Sequence, residues 1–288
     1  MSVPQDHLNR PVAVIGAGTL GRRIALMFAT RGGTVHIVDP TAQAGAAAVD
    51  YVREQLPAVA ASVRDGSPGT VEYIQDQASA VRGAWLVVEA VPEILDLKKK
   101  VFGQLDTQAD ADAIVASNSS SYASRLFTED CDTRDRMLNT HFYMPPASTA
   151  LDVMSDGHTS QEVLDYVLRT FPEYGLHPFL CRKESTGFIF NRIWAAIKRE
   201  ALEVVAEGVS VPEDIDQMFV LNFGTKAGPF RMMDQVGLDV VLDIEEYYQK
   251  ENPNLPKGPI SVLRKYVDAG KLGVKSGEGF YDDYPKQG

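Results

Sequence analysis

The run "PVAVIGAGTLGRRIALMFATRG", residues 11–32, sets the architecture. It opens with an apolar stretch of strand type, "PVAVIG" (11–16), and closes with helical spacing in "LGRRIALMFATRG" (20–32). The joint between them, "GAGTLG" (16–21), fits G-x-G-x-x-G, a weak signal alone but a specific one between a strand and a helix. Glycines allow a tight turn and the close approach of backbone N–H groups to a pyrophosphate, whose charge then meets the helix N-terminus. Gly16, Gly18, Thr19, Leu20 and Gly21 are therefore the expected phosphate loop. The next strand, "TVHIVD" (34–39), ends in Asp39, placed to accept hydrogen bonds from ribose hydroxyls and to repel a 2′-phosphate. The cofactor expected from this pattern is NAD, not NADP. Arg22 and Arg23 fall inside the helix and are read as solvated.

Outward from this unit the pattern alternates. An alanine-rich helical stretch (about 41–61) and a turn, "DGSPG" (65–69), precede strands at "WLVVEAV" (85–91), "AIVASN" (113–118), "RMLNTHF" (136–142) and "HPFLCR" (177–182). Strands alternating with helices indicate parallel βαβ units. After Lys183 the strand signals stop. "TGFIFNRIWAAIKREALEVVAEG" (186–208) is helical, and the remainder reads as helices with Pro/Gly-rich joints at 223–229 and 252–259. The expected fold class is α/β, a Rossmann-type mostly parallel sheet over residues 1–183, followed by an all-helical domain over 184–288.

Composition narrows the setting. Apolar residues make up 44% and charged residues 23%, ordinary for a globular protein, and the net charge of −11 argues against nucleic acid or an anionic membrane as partner. Two cysteines are too few for a disulfide framework, which favours a reducing cytoplasm. No apolar run approaches a membrane span, and "MSVPQDHLNRP" lacks the pattern of a signal peptide. No metal-ligand spacing stands out.

With "SNSSS" (117–121) and "NTHF" (139–142) the chain resembles the short-chain L-3-hydroxyacyl-CoA dehydrogenases. "EAVPEILDLKKKVFGQLD" (89–106), "GFIFNRI" (187–193), "AGPFRMMDQVGLDV" (227–240) and "KLGVKSGEGFYDDY" (271–284) extend the likeness nearly end to end. The resemblance implies NAD-dependent interconversion of a hydroxyl and a carbonyl by hydride transfer, with His141 as acid/base and Ser120 and Asn191 orienting the substrate oxygen. It gives Glu93 and Lys98 to the nicotinamide ribose, Asn118 and Ser120 to the nicotinamide side, and Lys275 to the cofactor site. It also implies a homodimer through the helical domain, where 186–208 and 236–248 are the apolar helices. Taken singly, Asn118 and Ser120 would be a strand-end turn, His141 an interior histidine and Lys98 in "KKK" a solvated face. Their joint spacing is what favours the site.

Three departures qualify that reading. In the family the histidine is held by a glutamate twelve residues later, but that position is Val153 and the acid here is Asp152. In a regular strand over 150–154 neighbours face opposite sides, so Asp152 is expected to face away from His141 unless a β-bulge re-aims it. Asp156 and Asp234 are the other acids considered as partners. Met144 stands where the family commonly has Asn within "HFFNP". Residues 41–80 contain two arginines, five acids and no lysine, a poor surface for the phosphates of coenzyme A. Two alternatives follow: an enzyme acting on a free hydroxy acid, sugar acid, other carbonyl or imine, and an NAD(H)-binding protein with little turnover.

Overall fold

A computed structural model describes residues 3–285. Short apolar runs that are buried along their whole length form the centre of a sheet: β1 (Val12–Ile15), β4 (Leu86–Glu89) and β5 (Ile114–Ser117) have no exposed residue. Such strands require cover on both faces, the usual condition of a parallel sheet. β2 (Thr34–Val38), β3 (Thr70–Tyr73), β6 (Met137–Met144), β7 (Ser148–Met154) and β8 (His177–Cys181) complete eight strands in the order β3-β2-β1-β4-β5-β6-β7-β8. Every neighbouring pair is parallel except β6 and β7. The order reverses between β1 and β4, the switch point beside which open α/β sheets bind ligands.

The helices α1 (Thr19–Phe28), α2 (Ala42–Ser62) and α6 (Gln161–Thr170) cover one face. Their Ile24, Phe28, Val52, Leu56, Val163 and Val167 share a core with Val14, Val88, Phe142 and Val153. On the other face α3 (Gln77–Val81), α4 (Leu95–Gln108) and α5 (Arg125–Thr128) bring Val81, Phe102, Leu105 and Phe127 against Ala13, Val87 and Val115. β3 is absent from the sequence reading. It is a four-residue edge strand with one fully buried side chain, Val71, and too little apolar alternation to register.

The chain divides into two compact units between Ile189 and Phe190, where the sequence places the boundary after Lys183. The difference has a local cause. The Ser185 amide donates to the Met154 sulfur, and Phe188 packs with Met154 and Cys181, so residues 185–188 belong to the sheet unit. The second unit is helical: α7 (Phe190–Ala206), α8 (Pro212–Phe223), α9 (Pro229–Val236), α10 (Leu238–Glu251) and α11 (Gly258–Val267). Leu202, Phe230, Met233, Leu238, Val241 and Leu263 form its core. Two buried aspartates organise it. Asp216 accepts from the Phe230 and Arg231 amides at 2.8 Å each, satisfying orphan donors of α9, and Asp234 accepts from Phe280 N, Tyr281 N and the Tyr284 hydroxyl. Within its own unit Asp234 thus serves the C-terminal segment. No helix among the described residues is long and apolar enough to cross a membrane.

Candidate active site

The glycine loop carries three distinct constraints. Gly16 has φ 115°, and a Cβ there would meet the Ala90 carbonyl oxygen at 2.5 Å. A Cβ on Gly21 would lie 1.9 Å from the Gly16 oxygen, so this glycine lets α1 press against the end of β1. At Gly18 a Cβ would meet nothing within 4 Å: the loop is open where a ligand backbone would lie. Gly18 caps α1 without a side chain, which leaves the first-turn N–H groups without intrahelical partners beside that opening. Asp39, half-buried at the end of β2, accepts from Ala17 N at 3.0 Å and Thr41 N at 2.9 Å, which fixes its carboxylate next to the loop with lone pairs to spare. An open anion cradle beside an immobilised carboxylate fits a dinucleotide's pyrophosphate and ribose.

Arg22 and Arg23 are half-buried and packed, not freely solvated. The Arg22 guanidinium sits 4.5 Å from the Tyr51 ring centroid and that of Arg23 5.6 Å, while Arg23 also donates to the Pro145 carbonyl at 3.0 Å. Packing of α2 on α1 brings Tyr51 over both, a neighbour that helical spacing alone does not show.

Past the switch point lies a polar cluster built on the buried Lys98 and Glu89, with Glu93 at its exposed edge. Lys98, 1% exposed, reaches Glu89 at 2.9 Å and Glu93 at 3.1 Å. Glu89 also accepts from Ser117 Oγ at 2.6 Å and Val91 N at 2.8 Å. Glu93 accepts from Ser119 Oγ at 2.5 Å and Ser121 N at 2.9 Å. Burial alone would raise the Glu93 carboxyl, but the Lys98 charge and these donors outweigh it and hold it below the usual glutamate range. Lys98 therefore acts on the 118–121 turn through Glu93, not by facing solvent. Glu89 went unnoticed in the sequence. The available signal was an acid ending an otherwise apolar strand, which needs a cation to be buried.

Asn118 and Ser120 lie in that turn. Asn118 is half-buried, and its Oδ1 accepts from the Phe142 amide at 2.9 Å, tying the turn to β6 immediately beside His141. Ser120 is exposed, its hydroxyl 3.5 Å from that of Ser121.

His141 is 6% exposed and points to the face opposite Phe142. The expectation that Asp152 faces away from it is overturned: the two residues are directly paired across β6 and β7, and directly opposed residues share a face. The cause is a register irregularity. Met144 pairs with Ser148 but Phe142 pairs with Leu151, so Thr149 and Ala150 together stand against Tyr143. That extra residue moves Asp152 onto the histidine face and puts Val153, fully buried, into the core beneath. Asp152 Oδ2 lies 3.5 Å from His141 Nδ1, in contact but without an aligned hydrogen bond. Phe188, whose φ is 54°, stacks on the imidazole at 5.0 Å and 14°, and the Tyr143 ring meets it edge-on at 4.6 Å. Neither aromatic contact was foreseen. Asp156 is held by Arg134 at 2.8 Å and by Thr128 at 3.1 Å. Met144 is 41% exposed at the end of β6.

Asn191 and Lys275 belong to the helical unit. Asn191 is half-buried in the first turn of α7, and the Lys275 ammonium bonds Asp239 at 2.6 Å. In chemical terms the sheet unit thus offers an open glycine loop, a carboxylate fixed beside it and a buried imidazole next to a second carboxylate. Among the described residues no group of acids, histidines and cysteines is arranged to hold a metal ion.

Comparison with known proteins finds similarity over nearly the whole chain. The profile described as "3-hydroxyacyl-CoA dehydrogenase, NAD binding domain" matches residues 11–185, and that of the "3-hydroxyacyl-CoA dehydrogenase, C-terminal domain" matches 187–283. The hydroxyacyl-coenzyme A dehydrogenase, mitochondrial, of Sus scrofa is 33% identical over 287 residues, covering 95% of this chain and 91% of that protein. The 5-formyl-3-hydroxy-2-methylpyridine 4-carboxylate 5-dehydrogenase of Mesorhizobium japonicum is 32% identical over 286 residues, covering 96% and 92%. Among solved structures, a diketoreductase studied for catalysis on dicarbonyl compounds aligns with a TM-score of 0.80 at 31% identity, covering 98% of this chain and 99% of that one.

Proposed function

The chain belongs to the 3-hydroxyacyl-CoA dehydrogenase family, an NAD-dependent oxidoreductase family, and from that premise we propose that His141 moves the proton as this chain interconverts a hydroxyl and a carbonyl. The observation that carries the proposal is the buried pair of His141 and Asp152, with Nδ1 turned to the carboxylate. The cofactor's chemistry, when bound, would be hydride transfer: NAD+ would take the hydride in oxidation and NADH would give it in reduction. In oxidation the imidazole takes the hydroxyl proton at Nε2, and Asp152 steadies the imidazolium; in reduction His141 returns the proton. Ser120 binds the reacting oxygen from the turn that Asn118 ties to β6. Gly16, Gly18, Thr19, Leu20 and Gly21 bind the pyrophosphate, Asp39 the adenosine ribose, and Glu93 the nicotinamide ribose from the position Lys98 gives it. His141→Ala tests the proposal: general acid–base catalysis is worth ~10²–10⁴, and a loss in that range with NADH binding intact is the expected result. Asn191→Ala and Lys275→Ala measure the parts the family pattern gives to these residues of the helical unit.

The family chemistry points to a 3-hydroxyacyl-CoA substrate. A second reading, a substrate without coenzyme A, is favoured by one observation. The exposed surface of α2 presents Gln43, Asp50, Arg53, Glu54 and several alanines, and no lysine. Two relatives with nearly full coverage are named for non-CoA substrates, a pyridine carboxylate and dicarbonyl compounds. NADH oxidation with acetoacetyl-CoA, beside free acetoacetate and a panel of keto acids, separates the readings by which substrate is turned over.

We also propose that the chain is a homodimer joined through its helical unit. The apolar surface lies mainly on α8, where Met218, Leu221 and Phe223 are 64–75% exposed, with Phe190 and Ile193 of α7 adding to it. α10 turns Leu238, Val241 and Leu242 inward and contributes less than its apolar sequence suggested. Light scattering on Leu221→Asp, expected to report a monomer, tests this. The two buried free thiols support a reducing compartment, the cytoplasm.

A further inference from the structure

Asp152 is 2% exposed, so its charge needs donors within the protein. Its Oδ1 has the Ile189 amide at 3.4 Å, a long contact, and its Oδ2 has His141 Nδ1 at 3.5 Å without alignment. The short bond comes from elsewhere: the Tyr143 hydroxyl donates to Oδ2 at 2.5 Å. Tyr143 is two residues beyond His141 on the same strand, and its ring lies edge-on against the imidazole, 4.6 Å between centroids and 69° between planes. One side chain therefore touches both members of the pair.

From this geometry we propose that Tyr143 is a positioning residue for proton transfer at His141. An aspartate directly opposite a histidine is tethered close to its own backbone, and 3.5 Å is too long for Nδ1–H···Oδ2 to fix the carboxylate by itself. The phenol holds Oδ2 in place on the imidazole side. A carboxylate oxygen has two lone pairs, so Oδ2 keeps the Tyr143 bond while accepting Nδ1–H as the imidazolium forms. The ring edge of Tyr143 limits rotation of the imidazole on one side, as Phe188 does on its face. The proposal rests on the reading of His141 as acid/base.

Tyr143→Phe removes the hydroxyl and keeps the ring. A hydrogen bond to a charged group is worth roughly a tenfold or larger factor in rate when it acts on the reacting geometry. The expected result is a kcat reduced ~10-fold for carbonyl reduction, with KM and Kd for NADH unchanged. The retained NADH affinity also shows that the variant is folded. Because Tyr143 acts through Asp152, the losses of Tyr143→Phe and Asp152→Asn must fail to add: introduced into the Asp152→Asn enzyme, Tyr143→Phe costs less than ~2-fold. Additive losses, or a Tyr143→Phe enzyme within ~2-fold of wild type, overturn the proposal while His141→Ala remains inactive. A His141→Ala enzyme of full activity overturns the reading of the site and this proposal with it.

Discussion

His141 and Asp152 stand directly opposite each other on antiparallel β6 and β7, with 3.5 Å between Nδ1 and Oδ2. The family places its carboxylate one residue later, at Val153, and the bulge against Tyr143 restores the face that the shifted acid would otherwise lose. The consequence for substitution is specific. Val153→Glu does not rebuild a family-type pair, because residue 153 points into the core shared with Phe142 and Leu151. An unpaired carboxylate there costs about 3 kcal/mol or more, enough to lower the urea midpoint visibly. Asp152→Asn keeps the shape and loses the charge, so it is expected to leave stability nearly intact and depress kcat. Equilibrium unfolding beside steady-state kinetics on the two variants checks the contrast.

How much of this was readable beforehand depends on the range of the interaction involved. The glycine loop, Asp39 and the end of the strand series at Cys181 follow from local spacing, and each lies within a residue or two of the expected place. Asp152 was misplaced because a one-residue bulge leaves no mark in the spacing of a single strand. The Lys98–Glu89 pair and the stacking of Arg22 and Arg23 on Tyr51 depend on which elements touch, and that is decided by the sheet order. Phe188 gave no signal at all: a left-handed φ is ordinarily read from glycine, and here the residue after Gly187 carries it as well.

That backbone conformation at Phe188 sets two effects against each other. A non-glycine residue in the left-handed region costs ~1–2 kcal/mol, whereas emptying a buried phenylalanine site costs ~3–5 kcal/mol. The packing term is the larger, so both Phe188→Ala and Phe188→Gly are destabilised. Glycine is relieved of the backbone cost and is expected to be the more stable of the two by about 1 kcal/mol. Paired urea titrations show the order. Both variants are also expected to lose kcat, since each frees one face of the His141 ring.

The Glu89–Lys98–Glu93 cluster predicts an acid sensitivity. The Glu93 carboxyl is held below its usual value of about 4.3, so its stabilising contribution is complete above that pH and is lost as pH falls through the lower, folded value. Glu93→Gln is expected to flatten the acid limb of the stability curve between about pH 5 and 3. Lys98→Met is more severe. It leaves the fully buried Glu89 without a cation, and breaking a buried pair from one side costs ~3–5 kcal/mol. Thermal melts across pH distinguish a shifted slope from a uniform drop.

Lys198 provides a prediction of opposite sign. It is 5% exposed on α7, and burial lowers its ammonium to about 8, with Glu245 opposing that shift and Arg199 adding to it. A lysine whose folded value lies below its unfolded one destabilises the native state wherever it must stay protonated. Between the two values the unfolded chain holds the extra proton, so stability rises with pH from about 8 upward until the unfolded lysine also titrates. Lys198→Met keeps a flexible apolar stem and removes the buried charge. It is expected to raise stability at pH 7 by on the order of 2 kcal/mol and to abolish the rise above pH 8. A variant no more stable than wild type at pH 7, or one that keeps the alkaline rise, would show that Glu245 compensates the buried ammonium fully. Chemical denaturation at pH 7 and pH 9.5 gives both numbers.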